Sequence, residues 1–305
     1  MPAERIVIVG AGPAGLATAR AYREHGGRGS VTLLGEEQLL PYRRPPLTKE
    51  FLRGLLTMRT LFDSVRISEH AGVGVATLVI GTGFIGCEIA ASLALRGCRV
   101  TLIGEEPLPQ MERLGVQAAH RIADWLDGLE VKLVGEVSVR AVHGGRIVEL
   151  NDGSRLEASS VVLGMGARPR TTLAERAGLQ LRHGAVAVDA QMRAVRGEPV
   201  LAAGDVAFAA NAGAGRGLRV AHWGDALEQG EVAGATLAGV DASWDAVPGF
   251  WSTIGTRTLK YAAWGDGYDE ASLVALRDGS AASARPLRTR RSRSRPARCS
   301  RGSGT

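Results

Sequence analysis

Two segments of the chain share one order of apolar and polar positions. The first has an apolar run at Arg5–Val9, a helical pattern over 13–25 and a second apolar run at Ser30–Leu34. The second repeats this order with a run at 76–80, a helical pattern over 84–96 and a run at 99–103. Short β-branched runs flanking a helix-period stretch indicate a βαβ unit. The pattern therefore predicts an α/β protein with two such units.

The rest of the chain alternates short apolar runs with helical patterns. Further elements are predicted as follows: helices over 112–127 and 224–238, and strands over 130–134, 136–142, 146–150, 160–166 and 199–205. From about residue 271 the periodicity fails. Because alanine, arginine, serine, proline and glycine cannot build a core, we expect a basic disordered tail over 271–305.

A glycine-rich turn opens the helix of each unit. Its glycines are Gly10, Gly12 and Gly15 in the first unit, and Gly81, Gly83 and Gly86 in the second. In GxGxxG the first glycine allows a tight turn, the second lets backbone approach a pyrophosphate, and the third lets helix and strand pack closely. Glu36 and Glu105 follow at the offset of an acid that binds ribose hydroxyls. A glycine turn without a ligand is the alternative, but two copies favour two Rossmann-like dinucleotide sites.

Further motifs resemble the FAD-dependent ferredoxin, putidaredoxin and rubredoxin reductases and the related apoptosis-inducing factor, in the pyridine nucleotide-disulfide oxidoreductase superfamily. The motifs are PYRRPPLTK at 41–49, MRTL at 58–61, GFIGCE at 83–88, AGD at 203–205, RVAHWGDA at 219–226 and FWS at 250–252. The resemblance implies an FAD domain, a nicotinamide domain and the start of a C-terminal interface domain. It covers the chain from about residue 5 to residue 270.

The resemblance also assigns residues to each cofactor. For FAD they are Gly10, Gly12, Ala14, Gly15, Glu36, Lys49, Arg59, Asp205 and Trp223; for NAD they are Gly81, Gly83, Gly86 and Glu105. In the family, the positions of Lys49 and Glu88 form an ion pair beside the flavin. Each could instead be a solvated surface charge. Asp205 could belong to a plain strand-ending turn, and Trp223 could fill a core.

The implied activity is electron transfer from NAD(P)H through FAD to a separate ferredoxin-like iron–sulfur protein. Glu105 favours NADH over NADPH, because a carboxylate repels a 2′-phosphate and binds a free diol. The three cysteines form no CxxC pair, so a dithiol centre is not expected, and no ligand spacing predicts a metal. An NADH oxidase or peroxidase needs a cysteine near the flavin, and none precedes Cys87.

The resemblance breaks between Gly54 and Leu55. The family carries roughly 70–80 more residues there, which complete the parallel sheet of a doubly wound domain. We therefore expect an incomplete FAD domain, and a non-catalytic NAD(H)-binding remnant is the second hypothesis. The predicted domains are a truncated FAD-binding domain contributed by 1–75 and 168–245, the NAD(H)-binding domain at 76–167, the interface remnant at 246–270 and the tail at 271–305.

Charge and hydropathy exclude several other classes. Eight arginines lie in 285–301, and subtracting them from the formal charge of +6 leaves −2. The tail has neither aromatic interleaving nor a helical face, so no nucleic-acid partner is expected. No membrane-length apolar run and no signal-peptide pattern occurs, so we expect a cytoplasmic protein. The sequence does not predict the oligomeric state.

Overall fold

The computed structural model describes residues 5–37, 55–196, 199–264, 272–275 and 279–284. Its helices are α1 (Pro13–Glu24), α2 (Leu61–Glu69), α3 (Phe84–Leu95), α4 (Met111–Leu114), α5 (Val116–Asp127), α6 (Thr172–Arg176) and α7 (Trp223–Leu237). Its strands are β1 (Arg5–Val9), β2 (Ser30–Leu34), β3 (Leu55–Thr57), β4 (Ala76–Ile80), β5 (Arg99–Ile103), β6 (Lys132–Val134), β7 (Val139–His143), β8 (Ile147–Leu150), β9 (Arg155–Glu157), β10 (Ser160–Leu163), β11 (Leu181–Arg182), β12 (Ala185–Val188), β13 (Ala207–Asn211), β14 (Arg216–Leu218), β15 (Gly249–Ile254), β16 (Arg257–Ala262), β17 (Ser272–Ala275) and β18 (Ala281–Ala284).

The second unit is built on a five-stranded parallel sheet in the order β3-β10-β4-β5-β6. Its strands β4 and β10 are buried on both faces. Their sequences are continuous apolar runs because a parallel sheet is covered on both sides. Strand β3 pairs with β10 and buries Leu55 and Leu56, so the sheet includes a strand that the predicted boundary at residue 75 left in the first domain. The antiparallel sheet β7-β8-β9 packs beside it through Val148 and Leu150.

The helix predicted over 112–127 is two helices in the structure. Gly115 separates α4 from α5 with a φ of +89°, a left-handed value that breaks the helical path. The prediction of one continuous helix is therefore wrong at this point. The loop that precedes α4 contacts the glycine turn before α3, where Gln110 Nε2 donates to the Thr82 carbonyl oxygen.

The first unit has a smaller sheet. Within the residues that the structure describes, β1 pairs in parallel only with β2. Helix α1 packs closely on α7, where a Cβ on Gly230 would lie 2.4 Å from the Ala14 carbonyl oxygen. The other face of β1 is open to solvent, with Val7 and Val9 exposed by 61% and 62%.

The segment 199–205 is not a strand, so that prediction is wrong. Its backbone bonds to an irregular loop instead: Ala194 N–H donates to the Val200 carbonyl and Ala202 N–H to that of Met192. The following strand, β13, joins the mixed sheet β11-β12-β13-β14.

The predicted disorder after residue 270 is also wrong for two short segments. Strand β18 pairs in parallel with β16 and antiparallel with β17, extending the sheet in the order β15-β16-β18-β17. Ala281 is fully buried there, and Ser280 Oγ accepts a hydrogen bond from Thr258 N–H at 3.0 Å. The arginine-rich remainder of the tail lies outside the described residues.

Candidate dinucleotide sites

The three glycines of the second turn lie in different steric environments. Gly81 has a φ of +108°, which an L side chain rarely adopts. A Cβ on Gly86 would lie 1.7 Å from the Gly81 carbonyl oxygen, so only glycine lets α3 start this close to β4. A Cβ on Gly83 would make only ordinary contacts, with Gln110 Nε2 at 3.6 Å and the Gly164 carbonyl oxygen at 3.8 Å, so the protein itself leaves room for one there.

The first unit repeats this geometry. Gly10 has a φ of +117°, and a Cβ on Gly15 would lie 2.0 Å from the Gly10 carbonyl oxygen. A Cβ on Gly12 would have no neighbour within 4 Å. The two turns therefore present the same arrangement, with one glycine at positive φ, one glycine whose Cβ position is uncrowded and one glycine in close helix–strand contact.

Both helices that follow these turns begin uncapped. Gly12 and Gly83 are the N-cap residues of α1 and α3, neither offers a side-chain cap, and neither first turn holds an acid. By contrast α2 is closed by a capping box between Thr60 and Asp63. The free N–H groups and the positive helix ends fit a pyrophosphate at each turn. The residues present thus fit one dinucleotide per unit.

The acids after β2 and β5 lie in different surroundings. Glu105 is exposed and makes no hydrogen bond to any described residue, so its carboxylate is available to a diol. The neighbouring Glu106 instead accepts a hydrogen bond from Glu112 N–H at 2.8 Å. In the first unit Glu36 pairs with Arg170.

Asp205 is the last residue of the AGD turn, which lies against the start of α1. A Cβ on Gly204 would be 3.0 Å from Ala14 Cβ, so the turn borders the first glycine turn. Desolvation by the surrounding protein raises the pKa of the Asp205 carboxyl, and the nearby charges of His222, Arg59 and Arg219 oppose that rise. The structure therefore places Arg59 and Asp205 in one electrostatic neighbourhood, although 146 positions separate them in the sequence.

The sequence profile of the pyridine nucleotide-disulphide oxidoreductases matches residues 4–60 and 54–230, well over half of the chain. The chain belongs to the pyridine nucleotide-disulphide oxidoreductase family. The resemblance and the two-unit α/β fold inferred from sequence are both confirmed.

Individual relatives of this oxidoreductase point the same way. It is 28% identical to the ferredoxin–NAD(+) reductase component of the anthranilate 1,2-dioxygenase system of Burkholderia cepacia, over 83% of this chain and 80% of the relative. It is 25% identical to rubredoxin-NAD(+) reductase of Pseudomonas putida, over 84% and 85%. A solved ferredoxin reductase from Rhodopseudomonas palustris shares the fold with a TM-score of 0.80 at 22% identity, over 89% of this chain and 85% of that one.

The predicted flavin-side pair is only partly described, because Lys49 lies outside the described residues. Glu88, just past the first turn of α3, accepts hydrogen bonds from Ser252 Oγ at 2.6 Å and Thr253 N–H at 3.1 Å. Burial raises the pKa of the Glu88 carboxyl, and these two hydrogen bonds oppose the rise. In the structure Glu88 thus joins the second unit of the oxidoreductase to its C-terminal sheet.

A ring cluster beside Glu88 was not predicted as a unit. Phe250 contacts Phe84 and His222 with ring centroids 4.3 and 4.8 Å away, and Arg113 lies 5.3 Å over its ring. Arg113 Nη2 also contacts His222 Nε2 at 2.9 Å. The motifs named these rings separately, but the sequence carries no signal for Arg113. Trp223, the first residue of α7, is half-buried nearby.

The cysteines of the described chain have no redox geometry. Cys87 is fully buried, and burial together with the negative charge of Glu88 raises the pKa of its thiol far above the ordinary value. Cys98 is also buried, and its sulfur accepts a hydrogen bond from Gly72 N–H. Both therefore pack as small apolar residues. Among the described residues, no group of three potential metal ligands comes together and no helix is long and apolar enough to cross a membrane.

Proposed function

We propose that this protein is an FAD-dependent NAD(P)H:ferredoxin reductase that prefers NADH. The observation that carries the proposal is the pair of equivalent glycine turns, each followed by an uncapped helix start. Relatives whose names specify ferredoxin–NAD(+) and rubredoxin–NAD(+) reduction support an iron–sulfur protein as the electron acceptor. A cytoplasmic location belongs to the same proposal.

Each unit would hold one cofactor. In the first unit Gly10, Gly12, Ala14 and Gly15 would receive the FAD pyrophosphate, with Glu36 at the ribose and Arg59, Asp205 and Trp223 nearer the ring. In the second, Gly81, Gly83 and Gly86 would receive the pyrophosphate of NADH and Glu105 its ribose diol. Bound FAD would take up an electron pair from the nicotinamide and release electrons singly.

Glu88 and the ring cluster would form the wall between the two cofactors. The two hydrogen bonds from Ser252 and Thr253 hold the Glu88 carboxylate in one orientation. The rings of Phe84, Phe250 and His222 pack on one another and would keep water from the bound cofactors, which would favour transfer between them. Lys49 as the cationic partner of Glu88 belongs to the same proposal.

A specific observation favours a second candidate, a non-catalytic NAD(H)-binding remnant. The alignment to the Burkholderia relative spans 330 positions but only 83% of 305 residues, so about 77 positions fall opposite no residue of this chain. The first unit has a two-stranded sheet within the described residues and an apolar face exposed at Val7 and Val9. Tight FAD binding needs preorganised walls, because ordering loops on binding subtracts from affinity.

The visible spectrum of the purified full chain separates the two candidates. A flavin absorbance band with one FAD per chain, bleached by NADH, supports the reductase. A colourless protein that still binds NADH in calorimetry supports the remnant. Ferricyanide reduction by NADH then measures turnover.

Inserting between Gly54 and Leu55 the segment that a relative carries there tests whether its absence is what limits FAD binding. If the truncation limits the protein, the graft restores flavin binding and ferricyanide reduction together. Rapid NADH-driven ferricyanide reduction by the chain without the graft would show that the first unit binds FAD without the additional segment.

A further inference from the structure

Gln110 has an unusual backbone conformation for its residue type. It is the N-cap of α4, with φ 61° and ψ 22°, the left-handed region that non-glycine residues rarely adopt. Strained conformations of this kind persist where the surrounding structure enforces them, and they cluster at ligand sites.

The side chain does not relieve the strain by capping its own helix. No side-chain cap bond is made to α4, and the amide turns back to the second glycine turn, where Nε2 donates to the Thr82 carbonyl oxygen at 3.3 Å. Because a carbonyl can only accept, this contact fixes the orientation of the amide. Its other end is therefore the oxygen Oε1.

Gln110 Oε1 is buried and unsatisfied. The residue is 8% exposed, and Oε1 has no hydrogen-bond partner among the described residues. Most buried side-chain acceptors in proteins are paired, so an unpaired one calls for a donor that arrives from elsewhere.

The position of Gln110 indicates which donor that is. Its Nε2 lies 3.6 Å from where a Cβ on Gly83 would be, beside the space proposed for a pyrophosphate. The residue ends the loop that follows β5 and contains Glu105. A pyrophosphate offers no donor at neutral pH, whereas the ribose hydroxyls next to it do.

We propose that Gln110 is a positioning residue for the nicotinamide dinucleotide, whose Oε1 accepts a hydrogen bond from a ribose hydroxyl beside the pyrophosphate. The inference rests on the proposed function, since it assigns a contact within the same NADH site. It also explains the backbone strain, because the left-handed turn is what directs the amide into the glycine turn.

The test measures NADH and ADP-ribose binding by calorimetry in the full chain and in Gln110→Asn. Asparagine keeps the amide and tolerates the left-handed region, but it is one methylene shorter and cannot reach both partners. We expect binding of both ligands to weaken by roughly threefold to tenfold, as for one lost hydrogen bond. The matched control is Glu130→Asn, at an exposed left-handed position elsewhere in the unit, which should bind as wild type does.

Melting temperature distinguishes this role from a structural one. Gln110→Leu removes the unsatisfied oxygen as well as the Thr82 bond, so its melting temperature should stay close to that of wild type while its NADH affinity falls. Unchanged NADH affinity in both Gln110 variants, or a loss for NADH without one for ADP-ribose, overturns the ribose contact. Absence of NADH binding by the wild-type chain instead overturns the proposed function, and the inference with it.

Discussion

Substitution by alanine should have opposite effects at the second and third glycines of the second turn, Gly83 and Gly86: loss of NADH binding at Gly83 and loss of stability at Gly86. Gly83 has φ −68° and ψ 176°, which alanine adopts freely, and its Cβ would make only ordinary contacts. Gly83→Ala should therefore fold normally. Its methyl group would nevertheless stand where the pyrophosphate has to approach the free N–H groups of α3.

The expected loss of NADH affinity follows from the hydrogen bonds between the pyrophosphate and the N–H groups of α3 that the methyl group would disturb. Loss of one hydrogen bond to a charged group costs about 1.5–3 kcal/mol, so NADH should bind Gly83→Ala about 10- to 150-fold more weakly. Gly86→Ala is the matched change. Its Cβ would lie 1.7 Å from the Gly81 carbonyl oxygen, so the start of α3 must shift.

Crowding of this kind costs about 1–3 kcal/mol, which in a protein of this size lowers the melting temperature by roughly 2–12 °C. Calorimetric titration with NADH and thermal melts of wild type and both variants form the assay. Wild-type NADH affinity in Gly83→Ala, or a wild-type melting temperature in Gly86→Ala, would refute the assignment of roles to these glycines. The pair Gly12→Ala and Gly15→Ala offers the same comparison for FAD in the first unit.

Three further outcomes are expected. Burial raises the pKa of the Glu88 carboxyl in the folded state, so its ionisation opposes folding. The free energy of unfolding should therefore fall as the pH rises from the pKa of Glu88 in the unfolded chain to its higher pKa in the folded protein. Glu88→Gln, which keeps both acceptor contacts, should gain stability relative to wild type from acidic to neutral pH in urea titrations; an equal difference at both would contradict this. Truncation after residue 264 should lower the melting temperature, whereas truncation after 284 should not, because only the first removes β17 and β18. Glu105→Gln should narrow the preference for NADH over NADPH in parallel titrations, and tighter NADPH binding by wild type would count against Glu105.

Features that depend on local geometry could be predicted from the sequence alone. Only glycine fits the positive φ of Gly10 and Gly81 and the close packing at Gly15 and Gly86. The spacing of these glycines therefore predicts the turns from the sequence alone. The flanking helices and strands follow from their apolar periodicity in the same way. Both depend on residues within one βαβ unit.

Features that depend on distant segments emerged only from the folded chain. Glu88 meets Ser252 from 164 positions away, and β3 finds its partner in β10 across most of the second unit. The strand Ala281–Ala284 consists of small residues without a β-branched or large apolar side chain, and it is a strand because it pairs with β16 and β17. Likewise, 199–205 had an apolar pattern but its backbone bonds to a loop, and the Gln110 amide contacts the Thr82 carbonyl 28 positions away in the glycine turn. In each case the deciding hydrogen bonds come from residues that local periodicity does not reach.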